Sequence, residues 1–119
     1  MPYVHQFGII DCLEDYEENE YEPEKYHCIS VDGDLIDEIY HQGFGDKMKT
    51  LETFAHNINR PYKDLAYYGT TLIPPSSLEH FLTIILEENR NYQSDELLKL
   101  INKISDAIKE NKWMIHYGI

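Results

Sequence analysis

Basic residues are scarce in this chain of 119 residues. Ten lysines and arginines stand against 22 aspartates and glutamates, which gives a formal net charge of −12 at pH 7. We therefore expect no direct binding to nucleic acid, because phosphate contacts need clustered lysine and arginine. A strong field of one sign steers surfaces of the opposite sign, so the composition favours a basic protein partner.

Cysteine pairs of redox or zinc-binding spacing and long apolar runs are also missing. Cys12 and Cys28 lie sixteen positions apart, which predicts free thiols in a reducing compartment. No stretch approaches the roughly 18 apolar residues of a membrane span, and the first residues lack the pattern of a secretory leader. We expect a cytoplasmic protein with no membrane segment. The hydrophobic content of 42% is enough for a single domain over residues 1–119.

Sequence patterns that carry catalysis or bind metal are absent as well. The six histidines form no HxH, HxxxH or HExxH spacing, and no glycine-rich run is suited to hold phosphate. We therefore expect no enzyme activity, no cofactor and no metal. One alternative stays open, in which His5 and His116 meet across paired strands and form a small metal or acid–base site. The plainer interpretation is a pair of half-buried strand histidines that are hydrogen-bonded to their neighbours.

Apolar patterning predicts an α+β fold. Alternation and β-branched or aromatic residues predict a small mixed or antiparallel sheet, with strands near 3–10, 26–31, 65–73 and 113–118. Apolar residues at helical spacing predict that the sheet is packed by helices near 46–59, 77–88 and 95–111. A capping box of Ser76 and Glu79 and an N-cap at Ser94 mark the starts of the last two helices.

Aromatic–glycine pairs recur in three of the predicted strands. Phe7-Gly8 stands in the first, Tyr68-Gly69 in the third and Tyr117-Gly118 in the last. An aromatic ring packs well over a bare glycine on a neighbouring strand. We therefore expect these three strands to be neighbours in one sheet.

Carboxylates are in excess, and they concentrate in one segment. Residues 11–24 hold eight carboxylates, two tyrosines and no base, inside a predicted acidic loop at about 11–25. We interpret this loop as a partner-binding surface, with Tyr16 and Tyr21 as anchors. The alternative is a solvated loop whose tyrosines pack back onto the body. The predicted partner-binding residues are Asp11, Glu14, Asp15, Tyr16, Glu17, Glu18, Glu20, Tyr21 and Glu22, followed by Asp34, Asp37 and Glu38.

Three stretches carry a family resemblance: His5-Gln-Phe-Gly-Ile-Ile-Asp11, Leu65-Ala-Tyr-Tyr-Gly-Thr-Thr-Leu-Ile-Pro-Pro-Ser-Ser-Leu78 and Ile115-His-Tyr-Gly-Ile119. The chain resembles the small acidic immunity proteins of bacterial polymorphic toxin systems, including those of contact-dependent growth inhibition. The resemblance implies a non-catalytic cytoplasmic protein that binds and neutralises a cognate basic toxin domain, often a nuclease, at its active site or a nearby exosite. A regulatory or scaffold module that binds a basic endogenous protein stays open as the alternative.

Overall fold

A computed structural model describes residues 4–17, 21–65 and 69–118, with the side chains of residues 15, 42 and 44 left out. The strands are β1 (Val4–Ile10), β2 (Ile29–Asp32), β3 (Glu52–Ala55), β4 (Pro61–Lys63), β5 (Thr70–Ile73) and β6 (Trp113–Tyr117). The helices are α1 (Gly33–Ile39), α2 (Gly45–Met48), α3 (Pro75–Tyr92) and α4 (Asp95–Glu110). Within the described residues, the strands form one antiparallel sheet in the order β2-β1-β6-β5-β3-β4. The predicted α+β fold is confirmed.

One face of the sheet is covered by helices. Helices α3 and α4 bury apolar residues at the spacing of one helical face, and these pack against Phe7 of β1 and Met114 of β6. Fully burying a side chain of the size of leucine or phenylalanine stabilises a fold by about 1.5–3 kcal/mol. The buried helical residues include Leu78, Phe81, Ile84, Ile85, Leu97, Leu100, Ile101 and Ile104.

The two long helices begin in different ways. The Ser94 hydroxyl accepts a hydrogen bond from the Leu97 N–H at 3.3 Å, so the predicted cap of α4 is confirmed. The predicted capping box at Ser76 is wrong, because α3 begins at Pro75 and has no side-chain cap. Proline suits the first helical position, where its fixed φ is preorganised and its missing N–H is not needed. Ser76 therefore lies within the first turn.

The predicted helix near 46–59 is wrong beyond its first residues. Helix α2 ends at Met48, and the chain then forms the antiparallel hairpin of β3 and β4. Two contacts across the hairpin hold it: the Asp64 N–H donates to the Leu51 carbonyl, and the Thr53 hydroxyl donates to the Asp64 carbonyl. Strand β3 also pairs with β5. These long-range pairings outweigh the local helical spacing of the apolar residues.

The predicted strands have different bounds in the structure. The strand predicted near 26–31 spans Ile29–Asp32, because 26–28 form a turn in which His27 has a positive φ of 52°. The strand predicted near 65–73 corresponds to β5, which begins at Thr70. Residues 66–68 lie outside the described residues. Strands β1 and β6 agree with prediction over the residues described. The predicted neighbourhood of the first, third and last strands is confirmed in the order β1-β6-β5.

Both edges of the sheet offer little to an added strand. On β2 the outward Asp32 N–H is taken by the Glu96 carboxylate at 3.2 Å. At the other edge, β4 is three residues long and carries Pro61 and Lys63. A proline without an N–H, a lysine and a short strand are the usual protections of an exposed edge. A partner is therefore not expected to bind by extending the sheet.

Candidate protein-binding surface

The net charge of the chain resides in its first part. Residues 1–46 contain thirteen carboxylates and one base, Lys25, whereas residues 47–119 contain nine carboxylates and nine bases. The first part thus carries the whole formal charge of −12, and the second part is neutral. This asymmetry stands in the sequence, but the predicted surface rested only on the segment at 11–24 and three carboxylates after it, and not on the neutrality of the rest of the chain.

The described part of the acidic segment is packed against the face of the sheet opposite the long helices. A second apolar cluster on this face consists of buried residues from β1, β5, β6 and the turn after the acidic segment, namely Ile10, Tyr26, Leu72, Ile115 and Tyr117. Leu13 and Tyr16 of the segment pack against this cluster, beside Phe54 and Trp113. The described part of the segment therefore lies against the sheet, with its apolar side chains pointing towards it.

Tyrosine contacts hold the segment on the sheet. The Tyr16 hydroxyl donates to the backbone carbonyl of His56, beyond the end of β3. The Tyr21 hydroxyl donates to Gln6, and the Tyr21 ring packs edge-on against Tyr117 with 4.9 Å between ring centroids. The Glu22 N–H in turn donates to the Tyr117 hydroxyl at 3.2 Å. Tyr16 is half-buried, while Tyr21 keeps 64% of its surface exposed.

A close backbone approach at Gly8 fixes the end of the segment. The Ile9 N–H donates to the Tyr26 carbonyl at 3.1 Å, which draws the turn at 23–28 onto β1. A Cβ atom at Gly8 would lie 2.7 Å from the Tyr26 carbonyl oxygen and 2.6 Å from the Cys28 sulfur. Only glycine leaves room for this contact.

An ion pair anchors the beginning of the segment. The Lys112 ammonium lies 2.7 Å from a carboxylate oxygen of Asp11, just beyond β1. Hydrogen bonding to Lys112 and its positive charge lower the pKa of the Asp11 carboxyl, and the same contact raises the pKa of Lys112. Asp11 is thus tied to the body of the protein, although most of its side chain stays exposed.

The remaining carboxylates of the segment point away from the sheet where they are described. Glu14, Glu17 and Glu24 are exposed, and Glu22 forms an ion pair with Lys25 at 3.4 Å. Of the predicted site residues, Glu18, Glu20 and the side chain of Asp15 lie outside the described residues. The described part of the segment therefore turns its apolar residues inward, and it leaves Glu14, Glu17 and Glu24 exposed.

A second acidic group surrounds the start of α1. The Asp32 carboxylate accepts from the Asp34 N–H at 3.3 Å and caps the helix, where negative charge is favoured by the helix dipole. Asp34 and Glu38 are exposed, whereas Asp37 is partly buried and its negative charge raises the pKa of His5 against the effect of burial. Asp32 is the N-cap of α1, and Asp34 lies in its first turn. The predicted residues of α1 are thus divided between the surface and the interior.

The histidines that sequence reasoning paired do meet. His5 Nδ1 and His116 Nε2 are 2.9 Å apart, and both side chains are buried beneath the helices. In the part of the chain that the structure describes, no three or more histidine, cysteine or acidic side chains are placed to hold a metal ion. The contact is that of two strand histidines hydrogen-bonded to each other.

A shallow cavity beside the segment brings a cysteine and a histidine together. It has a volume of about 450 Å³ and is lined by Gln6, Pro23, Glu24, His27 and Cys28. Burial raises the pKa of the Cys28 thiol to about 12. The reactive form of cysteine is the thiolate, which is scarce near neutral pH when the pKa is this high. The cavity is therefore not suited to nucleophilic catalysis by Cys28.

Comparisons with known proteins bear on the fold. No protein-family model matches the chain, and a search of curated proteins gives no match. The structure is similar to that of the Neisseria DNA mimic protein DMP12, with a TM-score of 0.57 and 16% sequence identity. The alignment covers 96% of this chain and 98% of that one. At this identity the likeness shows a shared fold. None of the described helices is both long and apolar enough to cross a lipid bilayer.

Proposed function

We propose that the protein is a non-catalytic inhibitor that binds a basic, nucleic-acid-binding protein and covers the surface with which that protein holds phosphates. The observation that carries the proposal is the concentration of the entire net charge in residues 1–46, much of it on a segment docked over the sheet. Carboxylates at fixed positions can pair with the lysines and arginines that a partner uses on nucleic acid. The structural neighbour is named a DNA mimic protein, which agrees with this kind of binding.

Docking of the acidic segment on the sheet favours tight binding to a partner, in addition to the effect of its charge. A disordered segment loses conformational freedom when it binds, and this loss weakens binding. Here the contacts of Tyr16, Tyr21 and Glu22 order the described part of the segment before any partner arrives. The tyrosines act in this proposal by positioning the carboxylates, and exposed Tyr21 also offers a ring to the partner.

The finer proposal is an immunity protein of a bacterial polymorphic toxin system, whose partner is a toxin nuclease domain in the cytoplasm. It rests on the resemblance of the three sequence stretches and on the fit between an acidic face and a basic nuclease cleft. A second candidate is a regulator that binds an endogenous DNA-binding protein, and the name of the structural neighbour favours it. The two candidates share the acidic surface and differ in the partner.

Matched charge reversals test the acidic surface. In one variant Glu14, Glu17 and Glu24 are each changed to lysine; in the control, Glu52, Glu79 and Asp106 are changed likewise. All six side chains are exposed, and both variants change the net charge equally. Each immobilised protein is used to capture proteins from an extract of the source cells, with duplex DNA added as a competitor.

We expect the parent and the control to retain a basic nucleic-acid-binding protein that duplex DNA displaces, and the first variant to lose it. Equal loss of the partner by the two variants would show that net charge, and not this surface, governs binding, and full retention by both would show that these three glutamates are not needed. Co-expression with a toxin encoded beside the protein separates the two candidates. Rescue of growth by the parent and not by the first variant supports immunity, whereas an endogenous captured protein without rescue supports regulation.

A further inference from the structure

A pair of buried histidines joins three strands at the centre of the sheet. His5 of β1 and His116 of β6 are 2% and 0% exposed, and their nitrogens approach to 2.9 Å. The rings are stacked, with 5.1 Å between centroids and 11° between planes. His116 Nδ1 lies 3.3 Å from the Thr71 hydroxyl of β5, so the hydrogen-bonded chain runs across β1, β6 and β5. The proposed binding surface makes no use of these side chains.

The hydrogen bond between the two imidazoles depends on their protonation. A neutral imidazole has one N–H and one bare nitrogen, so one ring of a neutral pair donates and the other accepts. A first added proton places a charge in the core. A second added proton leaves two N–H groups facing each other and removes the bond. A singly protonated pair keeps the bond, so the cost of burying the charge opposes the first proton, and this cost together with loss of the bond opposes the second.

An acidic side chain opposes the effect of burial on the pair. In the described residues, Asp37 of α1 is the charged group that acts on His5, and the titratable group that acts on His116 is His5 itself. Other described elements place uncharged groups against the pair: the Thr71 hydroxyl, the Phe7 ring at 4.9 Å from the His116 ring, and Val31 opposite His5 on β2. Helix α4 covers this face with its apolar stripe.

Burial favours the neutral form of both histidines. It lowers the pKa of His5, against the opposing effect of Asp37, and it lowers the pKa of His116 well below its ordinary value. A histidine whose pKa is lower in the folded than in the unfolded state stabilises the fold fully above the unfolded pKa of about 6.5. This stabilisation is lost progressively as the pH falls from that value towards the folded pKa.

We infer that the His5–His116 pair is a proton-sensitive lock on the sheet, which holds β1, β6 and β5 together near neutral pH and opens in mild acid. The unfolded chain takes up protons at both positions below pH 6.5, whereas the folded chain resists them. Between pH 7.5 and 5.5 the ratio of folded to unfolded protein should fall about tenfold for each histidine that stays neutral in the folded state. The lock is independent of the proposed binding function.

Chemical denaturation between pH 7.5 and 5.5 tests the lock, since most carboxylates titrate below this range. The test variant is His5→Asn with His116→Gln, which keeps nitrogen and oxygen atoms near the two facing ring nitrogens but cannot titrate. The control is His41→Gln on an exposed residue. We expect the parent and the control to lose stability towards pH 5.5 and the test variant to lose at least tenfold less. Equal pH dependence in the parent and the test variant would overturn the inference.

A measurement on the parent protein covers the case in which the test variant fails to fold. The ring signals of His116 are followed by NMR over the same pH range. The lock requires that they stay those of a neutral imidazole while the protein remains folded. A His116 signal that titrates with a midpoint near 6.5 in the folded protein would show that the pair accepts protons freely, and the inference would be wrong.

Discussion

Substituting alanine for Gly8 tests whether the acidic segment is fastened to β1 by a close backbone contact. The new Cβ atom would lie 2.6–2.9 Å from the Cys28 sulfur, the Tyr26 carbonyl oxygen and the Tyr26 Cβ. Such overpacking costs about 1–3 kcal/mol. Separation of the Ile9 N–H from the Tyr26 carbonyl removes a further 0.5–1.5 kcal/mol or so. Alanine also makes the unfolded chain less flexible, which stabilises the fold by about 0.4–1 kcal/mol. The expected net decrease in the free energy of unfolding is therefore about 2 kcal/mol.

The assay combines urea denaturation with hydrogen exchange of the Ile9 amide. Gly43→Ala is the control, since Gly43 has a φ of +98° but no atom within 4 Å of the added Cβ. It should lower the global stability by about 1–2 kcal/mol through backbone strain alone. We expect faster local exchange at Ile9 in the Gly8 variant and not in the control. An unchanged free energy of unfolding and an equally protected Ile9 amide in the Gly8 variant would refute the docking of the turn.

Two further predictions concern single groups. Burial raises the pKa of the Cys28 thiol to about 12, so Cys28 should resist a thiol reagent at pH 8 while exposed Cys12 reacts. We expect one reactive thiol in the native chain and two after denaturation. Two reactive thiols in the native chain would contradict this prediction. Ser94→Ala should lower the free energy of unfolding by about 1 kcal/mol through loss of the N-cap, whereas Ser76→Ala in the first turn of α3 should change it by less than about 0.5 kcal/mol. Urea denaturation compares the two, and an equal loss would show that the cap of α4 contributes little.

The long helices and the first and last strands, β1 and β6, were predictable because local patterning and tertiary packing agree there. In α3 and α4 the apolar residues recur on one helical face, and that face is buried. The echo between the sequences around Phe7 and Tyr117 placed β1 beside β6, and it led to the correct idea that His5 and His116 meet. Both inferences depend on short-range pattern and on strand alternation alone.

The region at 46–65 was not predictable in the same way. Met48 and Leu51 lie in the core beneath the helices, whereas Phe54 lies on the opposite face of the sheet. A helical spacing that includes all three therefore mixes residues of two cores. The turn residue Asn57, whose side chain accepts from the Asn59 N–H, was the available sign of a hairpin.

The acidic segment shows the other limit of sequence reasoning. Its charge marked it as a surface, but its partner on the sheet is the backbone carbonyl of His56, 40 positions away from Tyr16. A backbone acceptor leaves no trace in the sequence. The tyrosines of the segment contact the body of the protein, as the alternative interpretation expected, while partner binding by its carboxylates stays a prediction.

Competition with duplex DNA tests the central claim most directly. The basic protein captured by the parent is bound to labelled duplex DNA, and increasing amounts of the acidic protein are added at low and at higher salt. We expect the parent and the Glu52, Glu79 and Asp106 control to displace the DNA, less effectively as salt rises, and the Glu14, Glu17 and Glu24 variant to fail to do so. Simultaneous binding of DNA and acidic protein, or equal displacement by both variants, would contradict it.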